Sequence, residues 1–120
     1  MKKWISYGNE TLSFSIPDGI PCYELFPNEV VIPEDPDALI LDALHQPVGC
    51  SLESLAAPGK RVCIISDDVS RPTPVSKVLS ILLPYLHELG IRKDDVYFVM
   101  ALGSHRHMSQ EEIDDKLGAE

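Results

Sequence analysis

Two short polar stretches hold the residues of this chain best suited to chemistry. One is Ser66-Asp67-Asp68-Val69-Ser70-Arg71-Pro72-Thr73-Pro74, and the other is Gly103-Ser104-His105-Arg106-His107. Arg71 carries a planar fork that grips a carboxylate or a phosphate with two parallel hydrogen bonds. It lies just ahead of a predicted helix start, where anions are favoured. Pro72 and Pro74 each remove a backbone N–H, so a glycine-type phosphate cradle cannot form there. The grip must come from Arg71, the hydroxyls of Ser70 and Thr73, and the few remaining amides. Asp68 would orient Arg71 or accept a ligand hydroxyl. His105 is the candidate for proton transfer, because an imidazole titrates near neutral pH. Gly103 before it allows a sharp turn. The blander reading makes Asp68, Ser70 and Thr73 turn and cap residues and Arg71 a solvated charge. His105 and His107 form an H-x-H pair, but without a third ligand no metal site is assigned, and His107 reads as an exposed loop residue.

Each stretch leaves an apolar run. Arg61-Val62-Cys63-Ile64-Ile65 precedes the first, and Val96 to Leu102 precedes the second. Between them Val75, Val78, Leu79, Leu82, Leu83, Leu86 and Leu89 recur at helical spacing, and Gly90 supplies the stop. Pro84 inside that helix predicts a kink or a broken ladder. A strand–helix–strand unit makes the two strands parallel neighbours, and both loops then open at one sheet edge, where ligands of open α/β sheets bind. The apolar run at Val62–Ile65 predicts a strand covered on both faces, with Cys63 as a small core residue. Ser109-Gln110-Glu111-Glu112 has the form of a capping box and opens a last helix through Ile113 and Leu117 to Gly118.

Upstream, residues 4–16 alternate apolar and polar about Gly8-Asn9, which predicts a hairpin. Cys22–Phe26 could add a short strand. Pro27 to Pro36 reads as an extended loop, with Val30-Val31-Ile32 packing against something. Short helices are expected over Asp37–His45 and Ser51–Ala57, and His45 and His87 are expected at the surface. The expected fold is α/β: an antiparallel N-terminal hairpin ahead of a βαβ unit whose parallel strands form a two-layer or three-layer open sheet. Residues 1–59 would hold strands, loop and short helices, and residues 60–120 the βαβα core with the site loops.

A net charge of −9, from 10 basic and 19 acidic residues, argues against nucleic acid or an anionic membrane as partner. It does not exclude a small anion, which responds to local charge. The three cysteines, Cys22, Cys50 and Cys63, are scattered and lack a C-x-x-C spacing. That points away from disulfides and zinc and toward the cytoplasm. No signal peptide or membrane span is apparent. Two parallel strands and a hairpin leave an open sheet edge. The chain is therefore expected to be the front of a longer protein, or a domain completed by a partner such as a second copy.

Taken together and in register, the two loops resemble the nickel-pincer lactate racemase family. Its amino-terminal region carries a strand running into a Ser-Asp loop closed by Arg-Pro-x-Pro, then a helix, a strand, and G-x-H-R before a helix containing Glu-Glu. Here these are Ser66 to Pro74, Gly103-Ser104-His105-Arg106, and Glu111-Glu112 to Leu117-Gly118. The resemblance implies an enzyme that inverts a 2-hydroxy acid, using a pyridinium mononucleotide whose sulfur arms hold nickel. A histidine takes the hydroxyl proton while hydride passes to the pyridinium ring, and return to the other face gives the mirror image. By position, His105 is similar to one of two acid/base histidines. Asp68, Val69, Ser70 and Arg71 are similar to the cofactor-contacting loop, with Arg71 and Arg106 on the substrate side. The second catalytic histidine, an anchoring lysine and the nickel-binding histidine of the family lie beyond Glu120, so this chain alone is expected to be inactive. The competing expectations are a non-catalytic module that binds a small anion on the same core, and a metal-independent enzyme using His105 as base.

Overall fold

The structure, a computed structural model, describes residues 1–118, which fall into two compact units divided after Ile32. In the first, β1 (Lys2–Tyr7) and β2 (Glu10–Ser15) pair antiparallel from Lys2↔Ser15 to Tyr7↔Glu10. The register leaves Gly8-Asn9 as a two-residue turn, and Gly8 takes φ +58°, a conformation that costs glycine little. Cys22–Phe26 is not a strand: among the described residues no partner strand lies beside it, and Leu25 is 92% exposed. Val30, Val31 and Ile32 likewise pack against nothing among the described residues. Apolar composition without a neighbouring edge to pair with does not make a strand.

The second unit begins with α1 (Pro36–His45), whose Asp35 cap accepts from the amides of Asp37 and Ala38 at 3.0 and 3.1 Å. A single-turn helix, α2 (Leu52–Leu55), follows, capped by Ser51 and shorter than the expected Ser51–Ala57. Then come β3 (Val62–Asp67), α3 (Val75–Glu88), a 3₁₀ turn (Lys93–Asp95), β4 (Val96–Ala101) and α4 (Gln110–Leu117). Strands β3 and β4 are parallel, with Val62 opposite Val96 and Asp67 opposite Ala101. The architecture is α/β, an antiparallel hairpin followed by a parallel pair with helices.

The periodic residues of α3 turn inward, and Leu79, Leu86 and Ile91 form the buried centre. Helix α3 runs unbroken through Pro84. Both Pro84 and Ser80, whose carbonyl loses its i+4 donor, lie on the exposed side, where that carbonyl is open to solvent. The expectation of a β3 strand covered on both faces is not met. Burial alternates along both strands, with Val62, Ile64, Ser66, Phe98 and Met100 shielded and Cys63, Ile65, Tyr97 and Val99 exposed. Among the described residues the helices shield one face only, so Cys63 is an exposed residue and not a core one. No helix is long and apolar enough to cross a membrane among the described residues.

Candidate functional site

The pairing of Asp67 with Ala101 ends both strands at the same level, so the two polar loops leave side by side. The first loop is organised by Asp68, which is 5% exposed. Its Oδ1 accepts from the Ser70 amide at 3.0 Å and from the Ser70 hydroxyl at 2.6 Å. The Arg71 amide donates to the Asp68 carbonyl at 3.1 Å, which closes the turn. The second carboxylate oxygen, Oδ2, meets Nδ1 of His105. Ser70 first, and His105 next, hold this carboxyl well below its usual range, at about 2, against the opposing effect of burial.

His105 reaches Asp68 because the chain turns abruptly off β4. The His105 amide donates to the Leu102 carbonyl at 2.9 Å, and Gly103 between them sits at φ +57°. The imidazole is half-exposed, at 53%. It forms a ridge between two open depressions. One, of about 230 Å³, is lined by Asp67, Asp68, Arg71, Gly103, Ser104 and His105. The other, of about 370 Å³, is lined by Val69, Ser70, Arg106 and Met108 together with Asp68 and His105.

The two arginines behave differently. Arg71 is exposed and its guanidinium makes no ion pair among the described residues. Arg106 forms a two-pronged pair with Glu112, Nη1 to Oε2 at 2.8 Å and Nη2 to Oε1 at 2.6 Å. Glu112 also accepts from the Ser109 amide at 2.8 Å, while Ser109 caps α4 in return. Arg106, followed by the Ser109 amide, lowers the Glu112 carboxyl to about 2, and Glu112 in turn raises Arg106. His107 is exposed, as are His45 and His87.

One supporting residue escaped the sequence reading. Lys116 places its ammonium 2.8 Å from Asp67 Oδ1 and donates to the carbonyls of Arg71 (2.8 Å) and Thr73 (3.3 Å). Thr73 donates its hydroxyl to the other oxygen of Asp67. A signal for Lys116 did exist, since it shares the inward face of α4 with Ile113 and Leu117, where a lysine needs acceptors. Glu112 was visible only as part of the capping box, with no hint of its arginine partner.

The site therefore joins a half-exposed imidazole, steered by a buried carboxylate, to a free guanidinium held on a pinned loop. It can move a proton beside a bound anion. The model of a family described as the lactate racemase N-terminal domain matches residues 7–120 of the chain. A lactate racemase of Thermoanaerobacterium thermosaccharolyticum is 30% identical over 119 residues, covering 95% of this chain and 27% of that protein. The structure of the lactate racemase apoprotein from the same organism matches with a TM-score of 0.68 at 28% identity, over 98% of this chain and 27% of that one. The chain thus spans about a quarter of the length of the relatives it matches.

Proposed function

The chain belongs to the lactate racemase N-terminal domain family, and from that membership we propose that it forms the His105-bearing wall of a 2-hydroxyacid racemase or epimerase site. The observation that carries the reading is the meeting of His105 and Asp68 beside Arg71 at the shared end of β3 and β4. His105 takes or returns the proton of the substrate hydroxyl. Arg71 binds an anionic group, either the substrate carboxylate or a phosphate. Arg106, paired with Glu112, fixes the loop that carries His105 beside the neighbouring depression. The remaining groups of such a site come from the rest of a racemase polypeptide.

The residues present fit one end of a nickel-pincer pyridinium mononucleotide. The unpaired Arg71 fork suits its phosphate. Among the described residues no cluster of three His, Cys, Asp or Glu side chains could hold a metal ion. When bound, the cofactor supplies the ring that accepts and returns a hydride. The three free cysteines suit a reducing cytoplasm.

The test is racemisation of lactate and other 2-hydroxy acids by the whole cofactor-loaded protein, followed by chiral analysis. His105→Ala should reduce turnover by about 10²–10⁴-fold, the usual contribution of general acid–base catalysis. The isolated 120 residues, holding one acid/base histidine of the pair, should show none. Turnover by the isolated chain would overturn the assignment of a partial site, and full activity in His105→Ala would remove that residue from the mechanism.

A further inference from the structure

The position-by-position resemblance assigns Asp68 and Ser70 to cofactor contact, but both side chains already hydrogen-bond within the chain. Asp68 is buried, and both of its oxygens are engaged, one by Ser70 and the other by His105. The Ser70 hydroxyl has a single proton, and it goes to Asp68.

We propose that Asp68 and Ser70 are positioning residues for His105, fixing the imidazole so that Nε2 is the only ring nitrogen that exchanges a proton with substrate. The inference rests on the reading of His105 as the acid/base group and deepens it. An ionised carboxylate can only accept hydrogen bonds, so the proton between the two groups belongs to Nδ1. In the neutral ring Nε2 then carries the lone pair, and it is the nitrogen left for the substrate. Ser70 completes the arrangement by holding Oδ1 from both its amide and its hydroxyl. The carboxylate therefore cannot swing away from His105 without giving up two bonds. Rotation of the imidazole would likewise break the Nδ1 contact, so the ring is held about χ1 and χ2 although half of its surface is open. Asp68 itself neither gains nor loses a proton in the reaction.

The decisive measurement is nitrogen-15 NMR of the His105 ring in the whole protein at about pH 8, where an ordinary imidazole is neutral. The inference requires a protonated Nδ1 and an unprotonated Nε2. Asp68→Asn presents an amide N–H₂ to Nδ1 and should invert the tautomer, moving the proton to Nε2. In the cofactor-loaded enzyme the same variant should lose up to about 10⁴-fold in kcat with KM little changed, the scale seen when the carboxylate behind an acid/base histidine becomes an amide. Asp68→Glu, which keeps an acceptor, should retain the wild-type tautomer.

A wild-type spectrum with the proton on Nε2 would overturn the inference, and it decides the matter even if Asp68→Asn fails to fold. So would a folded Asp68→Asn with an unchanged tautomer, or one with kcat intact while His105→Ala is inactive. Absence of racemisation in the wild-type enzyme would instead remove the functional reading, and the ring spectrum would still report on the positioning.

Discussion

Lys116 of α4 holds Asp67 at the end of β3, with Nζ 2.8 Å from Oδ1. The same ammonium donates to the carbonyls of Arg71 and Thr73, so one side chain ties the strand end to the loop. The prolines on either side of Thr73 have no amide to give, and a side chain from another element pins this loop instead. Lys116→Met should lower the melting temperature more than Lys93→Met, whose lysine is exposed. Lys116→Arg should recover part of the loss. Equal melting temperatures for the two methionine variants, read by calorimetry, would show that the clamp is not stabilising.

Arg71 has an ordered backbone and an uncommitted side chain. Arg71→Lys keeps the charge but loses the fork, and should weaken binding of the anionic ligand about 10–100-fold, the worth of one or two charge-assisted hydrogen bonds. Titration of the whole protein with cofactor or substrate measures this. An unchanged dissociation constant would mean that Arg71 acts as a point charge or not at all.

Asp68 and Glu112 both have folded-state pKa values lowered to about 2. An unfolded carboxyl titrates near 4. The folded state binds protons less readily, so these groups stabilise it fully above about pH 4 and lose that effect as pH falls toward about 2. Melting temperature should therefore drop across that window. The double variant Asp68→Asn, Glu112→Gln should start lower at neutral pH and show a shallower fall. Parallel curves would place the acid sensitivity elsewhere.

Leu86 is 3% exposed at the centre of the α3 face. Leu86→Ala should cost about 2–5 kcal/mol, the range for truncating a buried leucine. Denaturant unfolding would register it as a lower midpoint with an unchanged slope. A loss below about 0.5 kcal/mol, typical of a surface change, would mean that α3 does not seal the core.

Much of the second unit was readable because its signals are local. The 3.6-residue spacing from Val75 to Leu89 named the buried face of α3 residue by residue, and Ser109 with Glu112 marked the start of α4. The two loops were also readable as one site, since parallel pairing forces both ends to the same edge. The failures came from information that local pattern lacks. Val62–Ile65 is apolar throughout, yet which face a helix covers depends on elements elsewhere in the molecule. Cys22–Phe26 has the composition of a strand, but pairing needs a partner edge. The bonds Asp68–His105 and Lys116–Asp67 span 37 and 49 positions of sequence, and no spacing rule reaches that far.

The uncovered side of the parallel pair has a thermodynamic consequence. Ile65 is 69% exposed and Val99 44%, in a row with Tyr97 and Cys63. Any layer that settles there, whether more of the same polypeptide or a second copy, binds the folded state and not the unfolded one. The stability of β3 and β4 is then linked by mass action to that layer's presence. Because Asp68 and His105 lie just beyond the ends of these two strands, the hydrogen bond between them rests on the same scaffold.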